Sequence, residues 1–164
     1  MNIKTQKIGA GVLVGVVVIA GALSWWRYYR PYDITAGWSE VKSEGDMYRY
    51  ARSLVTAYEK DTVGFDTPEE TFDAFREALK AGDYKLASQY FVPEKQGEML
   101  AFFLKAEQED FIKQQVDLLY LEHQIIKSST GDEITLIVND GKGHRLGYDL
   151  VKNSYTHIWK MSDL

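Results

Sequence analysis

The feature that most constrains this chain is the stretch IGAGVLVGVVVIAGALSWW, residues 8–26, which runs for 19 residues without a charge. As a helix it would reach about 28 Å, close to the ~30 Å hydrocarbon core of a bilayer. Trp25, Trp26, Tyr28 and Tyr29, interleaved with Arg27 and Arg30, close it. Amphipathic rings and long cationic side chains at the end of an apolar rod are what a membrane interface selects. We therefore read an uncleaved single-span anchor. Two other readings stay open. A cleaved secretory signal needs an apolar centre of only about 7–15 residues, and Ala20-Gly21-Ala22 could be its processing site. A helix buried in a soluble core is the third, although Gly9, Gly11, Gly15 and Gly21 weaken a helix in water and suit lipid better.

Orientation rests on charge. Lys4, Lys7 and the α-amino group precede the run and Arg27 and Arg30 follow it, too even a balance for the positive-inside rule to decide. All 24 acidic side chains lie after residue 30, against 15 of the 19 basic ones, a net of −9 for the body. Such a body is a poor match to anionic cytoplasmic lipid. The expectation is a cytoplasmic N-terminus and an extracytoplasmic folded part. The same acidity, with basic residues spread singly, argues against nucleic acid as a partner. The absence of cysteine removes disulfides, thiol catalysis and cysteine-based zinc sites, so the domain must stand on its core.

Past the anchor (residues 1–30), residues 31–65 read as a linker and an amphipathic helix, and 66–164 as the main domain. Ser43 with Asp46 three residues on predicts a helix start. Met47, Tyr48, Ala51, Leu54, Val55 and Tyr58 then recur at one-face helical spacing, which predicts a core-facing stripe. The segment DTPEETFDAFREALKAGDY is the clearest helix start. Thr67 caps it, Pro68 takes the first helical position and Glu70 completes the box. Gly82 is placed to end that helix in a left-handed conformation. A further helix is expected over roughly 95–115. From about Leu118 the period shifts to two. LLYLEHQIIK, EITLIVN, RLGYDLVK and YTHIWKM predict four strands, with Asp140-Gly141 and Asn153-Ser154 at hairpin turns. Helices first and strands afterwards imply an α+β fold, with Leu136, Leu146, Tyr148, Leu150 and Trp159 on the face that covers the helices.

The run TPEETFDAFREALKAGDYKLASQYF, the Ala-x-Gly-Asp-Tyr junction within it and the closing HIWKM, with its pair Trp159-Lys160, resemble the NTF2-like (cystatin-like) superfamily over roughly residues 66–161. The likeness is greatest to bacterial membrane-anchored or secreted domains of the DUF4878-like group. The resemblance implies helices packed across a four-stranded, curved antiparallel sheet, a cone with an apolar pocket. It implies no activity, because that fold hosts enzymes, binders and scaffolds alike.

Chemistry is sparse. No phosphate-cradling glycine loop or paired metal-ligand spacing is present; catalytic residues, a metal site and a cofactor are not expected. The actors that an enzymatic NTF2-like cone could use are Asp117, His123, Asp149 and His157. Asp149 falls out of the face shared by Tyr148 and Leu150, whereas His157 shares parity with Trp159. Phe72, Phe75, Tyr148, His157 and Trp159 are accordingly the candidate ligand-pocket residues. Eleven tyrosines stand among 22 aromatic residues, and a ring that buries while its hydroxyl stays wet suits interfaces. Tyr48, Tyr50 and Tyr58 are the candidate partner contacts. The expected function is a non-enzymatic binding or assembly module held at the bilayer, a subunit of an envelope membrane complex that contacts lipid and another membrane protein or a second copy. An enzymatic or ligand-carrying cone and a filament-forming stem are the alternatives.

Overall fold

The computed structural model describes residues 33–34, 41–108, 119, 123–127, 131–139 and 145–163. The apolar run at 8–26 lies outside them, as do Asp117 and Asp140-Gly141. Among the described residues no helix is long and apolar enough to cross a membrane. The elements are α1 (Glu44–Lys60), α2 (Pro68–Lys80), α3 (Tyr84–Gln89), α4 (Gln96–Gln108), β1 (His123–Lys127), β2 (Glu133–Asn139), β3 (Arg145–Lys152) and β4 (Trp159–Asp163). The fold is α+β, with its four strands in one antiparallel meander of order β1-β2-β3-β4.

Local chemistry starts and stops the helices. Extended Ser43 accepts the Asp46 N–H at 3.1 Å at the head of α1. Thr67 does the same for Glu70 at the head of α2, and its hydroxyl donates back to the Glu70 carboxylate at 2.7 Å. After α2, Gly82 adopts φ 74. That left-handed turn lets Asp83 N–H reach the Ala78 carbonyl at 2.9 Å and satisfies an otherwise orphaned acceptor. Asp83 at once caps α3 by accepting the Leu86 N–H.

The core lies between α2–α4 and one face of the sheet. Phe72, Phe75, Ala78 and Leu79 of α2, Ala87 of α3 and Phe103 and Ala106 of α4 bury against Ile134, Leu136, Val138, Tyr148, Leu150, Trp159 and Met161. Strand β4 does not end the sheet in open solvent. Met161 exchanges backbone hydrogen bonds with Tyr90 and Val92, and Trp159 N–H donates to the Phe65 carbonyl at 2.8 Å. These contacts cover an edge that would otherwise invite pairing with another chain.

Three expectations change. Leu119 is helical and buried, so the first strand begins at His123, not 118. A short apolar run such as LLYL carries no period that separates buried helix from strand. The predicted two-residue turn at Asn153-Ser154 is a longer loop. Asn153 Oδ1 accepts the Tyr155 and Thr156 N–H groups, His157 takes φ 62, and pairing resumes only at Trp159. Leu146, expected inside, is 36% exposed, because it lies one residue from the start of β3, where the sheet runs out.

Candidate functional site

Four of the five predicted pocket residues come together, and they fill the space between helices and sheet. Phe72, Phe75, Tyr148 and Trp159 belong to one buried cluster. The Phe72 ring lies 5.1 Å from that of Tyr148 and 6.2 Å from that of Phe75, and Phe75 meets Phe91 edge-on at 5.6 Å. The Arg76 guanidinium lies 5.2 Å from the Phe72 ring centre and donates to the Leu119 carbonyl, closing the outer side. Burial pushes the Tyr148 hydroxyl up to about 12. His157 is not part of this cluster; it is exposed, in the loop before β4.

The predicted partner tyrosines separate just as clearly. Tyr48 is 57% exposed, Tyr50 is buried, and Tyr58 is half-buried with its hydroxyl donating to Glu94 Oε1 at 3.0 Å. Burial first, and then the Glu94 carboxylate, push the Tyr58 hydroxyl well above the ordinary phenol value. The reason lies in how α1 is turned. Its inward side carries Tyr50, Ser53, Leu54 and Ala57, a face of mixed polarity. Met47, Tyr48, Ala51 and Val55, expected in the core, are exposed. A surface helix ordinarily does the reverse.

Sequence reasoning missed a fully buried lysine. Lys160 is fully buried although it lies between Trp159 and Met161, both of which face the core cluster. Alternation sends it to the other side of β4, where the segments after α1 and α3 cover it. Its ammonium donates to the Val63 carbonyl at 2.7 Å and the Gln89 carbonyl at 2.6 Å, and it forms an ion pair with the Asp61 carboxylate at 2.7 Å. Burial lowers its affinity for a proton, and Asp61 partly restores it. Asp61 in turn accepts the Val63 N–H on its other oxygen. No signal short of the fold points to this pair, since a lysine at an alternate strand position reads as solvent-facing. Beside it opens a cleft of about 290 Å³, walled by Ile34, Ala57, Lys60, Thr62, Pro93 and Gln96 among others. Glu94, next to that wall, keeps its second oxygen buried without a hydrogen-bond partner.

A wider groove of about 410 Å³ crosses the sheet near Ile126, Thr135, Asp149, Val151 and Ser162. Asp149 is exposed there, as its parity predicts, and accepts the Thr135 hydroxyl at 2.7 Å. A bulge sets this geometry. Leu150 pairs with Met161 while Asp149 pairs with Asp163, leaving Ser162 over to donate to the Asp149 carbonyl. The side chain of His123 lies outside the described residues, as do Asp117 and His144. Among the described residues no group of three or more histidine, aspartate or glutamate side chains could hold a metal ion.

The described part is thus an α+β domain, a four-stranded antiparallel meander with helices packed on one face, a filled interior and an apolar helix stripe left outside. No protein-family model, curated protein or solved structure matches the chain.

Proposed function

We propose that the chain is a single-pass membrane protein whose run at 8–26 stays in lipid and whose extracytoplasmic domain, of NTF2-like kind, is a non-enzymatic binding or assembly module within an envelope membrane complex. One observation carries the reading: α1 turns a mixed face inward and leaves Met47, Tyr48 and Val55 in solvent at 39%, 57% and 40% exposure. Phe65, Phe102, Leu104 and Ile126 are exposed elsewhere, but the α1 residues align as one apolar stripe, and such a stripe marks a contact surface. The filled interior supports a scaffold over a carrier or enzyme, because a ligand cone needs open volume where Phe72, Phe75, Tyr148 and Trp159 pack. Gly11 and Gly15 give the apolar run a G-x-x-x-G face that suits close helix contact in a bilayer.

The test is the size of the particle drawn from native membranes in mild detergent. The reading expects a particle larger than one chain, reduced to one chain by Tyr48→Glu combined with Val55→Glu and unchanged by Glu107→Lys. A single chain from the outset would overturn it.

A further inference from the structure

The tether between the apolar run and the domain is short, and its point of attachment is visible. Ile34 lines the cleft beside Ala57, Lys60 and Pro93. It lies only eight positions past Trp26, the last of the run. Fully extended, eight residues span at most ~26–29 Å, and the headgroup layer takes up about 5–7 Å of that. A domain of this size is roughly 35 Å across. The tether is too short to let the domain hang with Ile34 on its far side.

We propose that the face around Ile34, Ala57, Lys60, Thr62 and Pro93 lies against the lipid bilayer. The inference rests on the membrane-anchor reading and adds to it which side of the domain meets the headgroups. The chemistry of the face agrees. Half-buried Ile34 gives it apolar surface, and Lys60 and Thr62 are exposed and can donate to phosphate and carbonyl oxygens, with the exposed carboxylates Asp33 and Glu59 at its margin. Asp61, which would repel an anionic headgroup, is buried and ion-paired to Lys160. The Glu94 carboxylate is engaged by the Tyr58 hydroxyl. The opposite edge of the sheet, β1, is three strand spacings away from β4, about 14 Å. The far end of α4 at Glu107 is about 16 Å along the helix from Gln96, which also lines the cleft.

The chain has no cysteine, so single-cysteine labelling is clean. The full chain is reconstituted into phosphatidylcholine/phosphatidylglycerol vesicles with an environment-sensitive fluorophore at Lys60→Cys, Thr62→Cys, Glu107→Cys or Gln124→Cys. Each preparation is floated on a density gradient and then quenched with headgroup-spin-labelled lipid. The proposal expects flotation, with quenching at 60 and 62 several-fold stronger than at 107 and 124. Flotation with equal quenching at all four sites, or stronger quenching at 107 or 124, would overturn the proposed face and leave the anchor standing. Failure to float would overturn both.

Discussion

Lys160 Nζ lies 2.7 Å from Asp61 Oδ2, joining the last strand to the residue that ends α1. Both side chains are almost wholly out of water, at 0% and 6% exposure. The pair ties α1, which shares little with the main core, to the sheet. Two further contacts hold α1 to neighbouring loops: Asn153 Nδ2, between β3 and β4, donates to the Tyr58 carbonyl, and the Tyr58 hydroxyl donates to Glu94, between α3 and α4.

Removing one partner from such a pair leaves a buried charge or two buried carbonyls unsatisfied. Lys160→Met and Asp61→Asn are each expected to lower stability by about 3–5 kcal/mol, seen as a fall in melting temperature of roughly 10 °C or more. Combining Lys160→Met with Asp61→Asn should lose less than the two single losses added together. Thermal melts followed by circular dichroism decide this; additive losses would mean the two residues act separately.

The loop before β4 makes a second prediction. Asn153 is buried and serves three backbone groups. Asn153→Ala should therefore lower stability by about 1–3 kcal/mol. His157 holds φ 62 with an exposed side chain. Substitution by glycine there should be neutral or stabilising by up to about 1 kcal/mol, and by valine destabilising. Denaturant midpoints of the three variants provide the check, and a stabilised His157→Val would contradict the assigned backbone.

Alkaline pH should weaken the fold through Tyr148. Burial raises its hydroxyl from 10.0 to about 12. Within that window the folded state holds a proton that the unfolded chain releases, so the contribution is complete below the lower value and disappears as pH climbs to the upper one. Lys160 works the other way. Its folded value is lowered from 10.5, so between the two values the unfolded chain holds the extra proton and stability rises with pH. The informative quantity is the stability of the native chain minus that of Tyr148→Phe, which should shrink between about pH 10 and pH 12. A difference independent of pH would show that the hydroxyl is not desolvated.

Gly64 gives a steric prediction. A Cβ there would sit 2.5 Å from the Trp159 carbonyl oxygen, at the point where Trp159 N–H bonds Phe65. Gly64→Ala must push backbone aside and should lose about 1–3 kcal/mol. Retained stability in a thermal melt would refute the close approach.

What the sequence made legible was local. Ser43, Thr67-Pro68-Glu70 and Gly82 act within one turn of themselves, and Leu136, Tyr148, Leu150 and Trp159 follow strand parity, so neighbours alone identify them. Periodicity also grouped Met47, Tyr48, Ala51 and Val55 on one side of α1. Which side would face inward depends on Asn153, Glu94 and Lys160, residues far along the chain, and the stripe proved to be the outer one. Lys160 was hidden for the same reason: its acceptors at Asp61, Val63 and Gln89 converge only once β4 is edged by other segments. Read as a tight-turn residue, Asn153 places His157 in a strand, whereas the Asn153 side chain builds a longer loop.

The central claim is that residues 8–26 remain attached and sit in lipid, and it is tested most directly by washing native membranes in alkaline carbonate and measuring the intact mass of the polypeptide. The account predicts a polypeptide that retains residues 8–26 in the membrane pellet. A polypeptide beginning near Leu23 and released into the wash would contradict it.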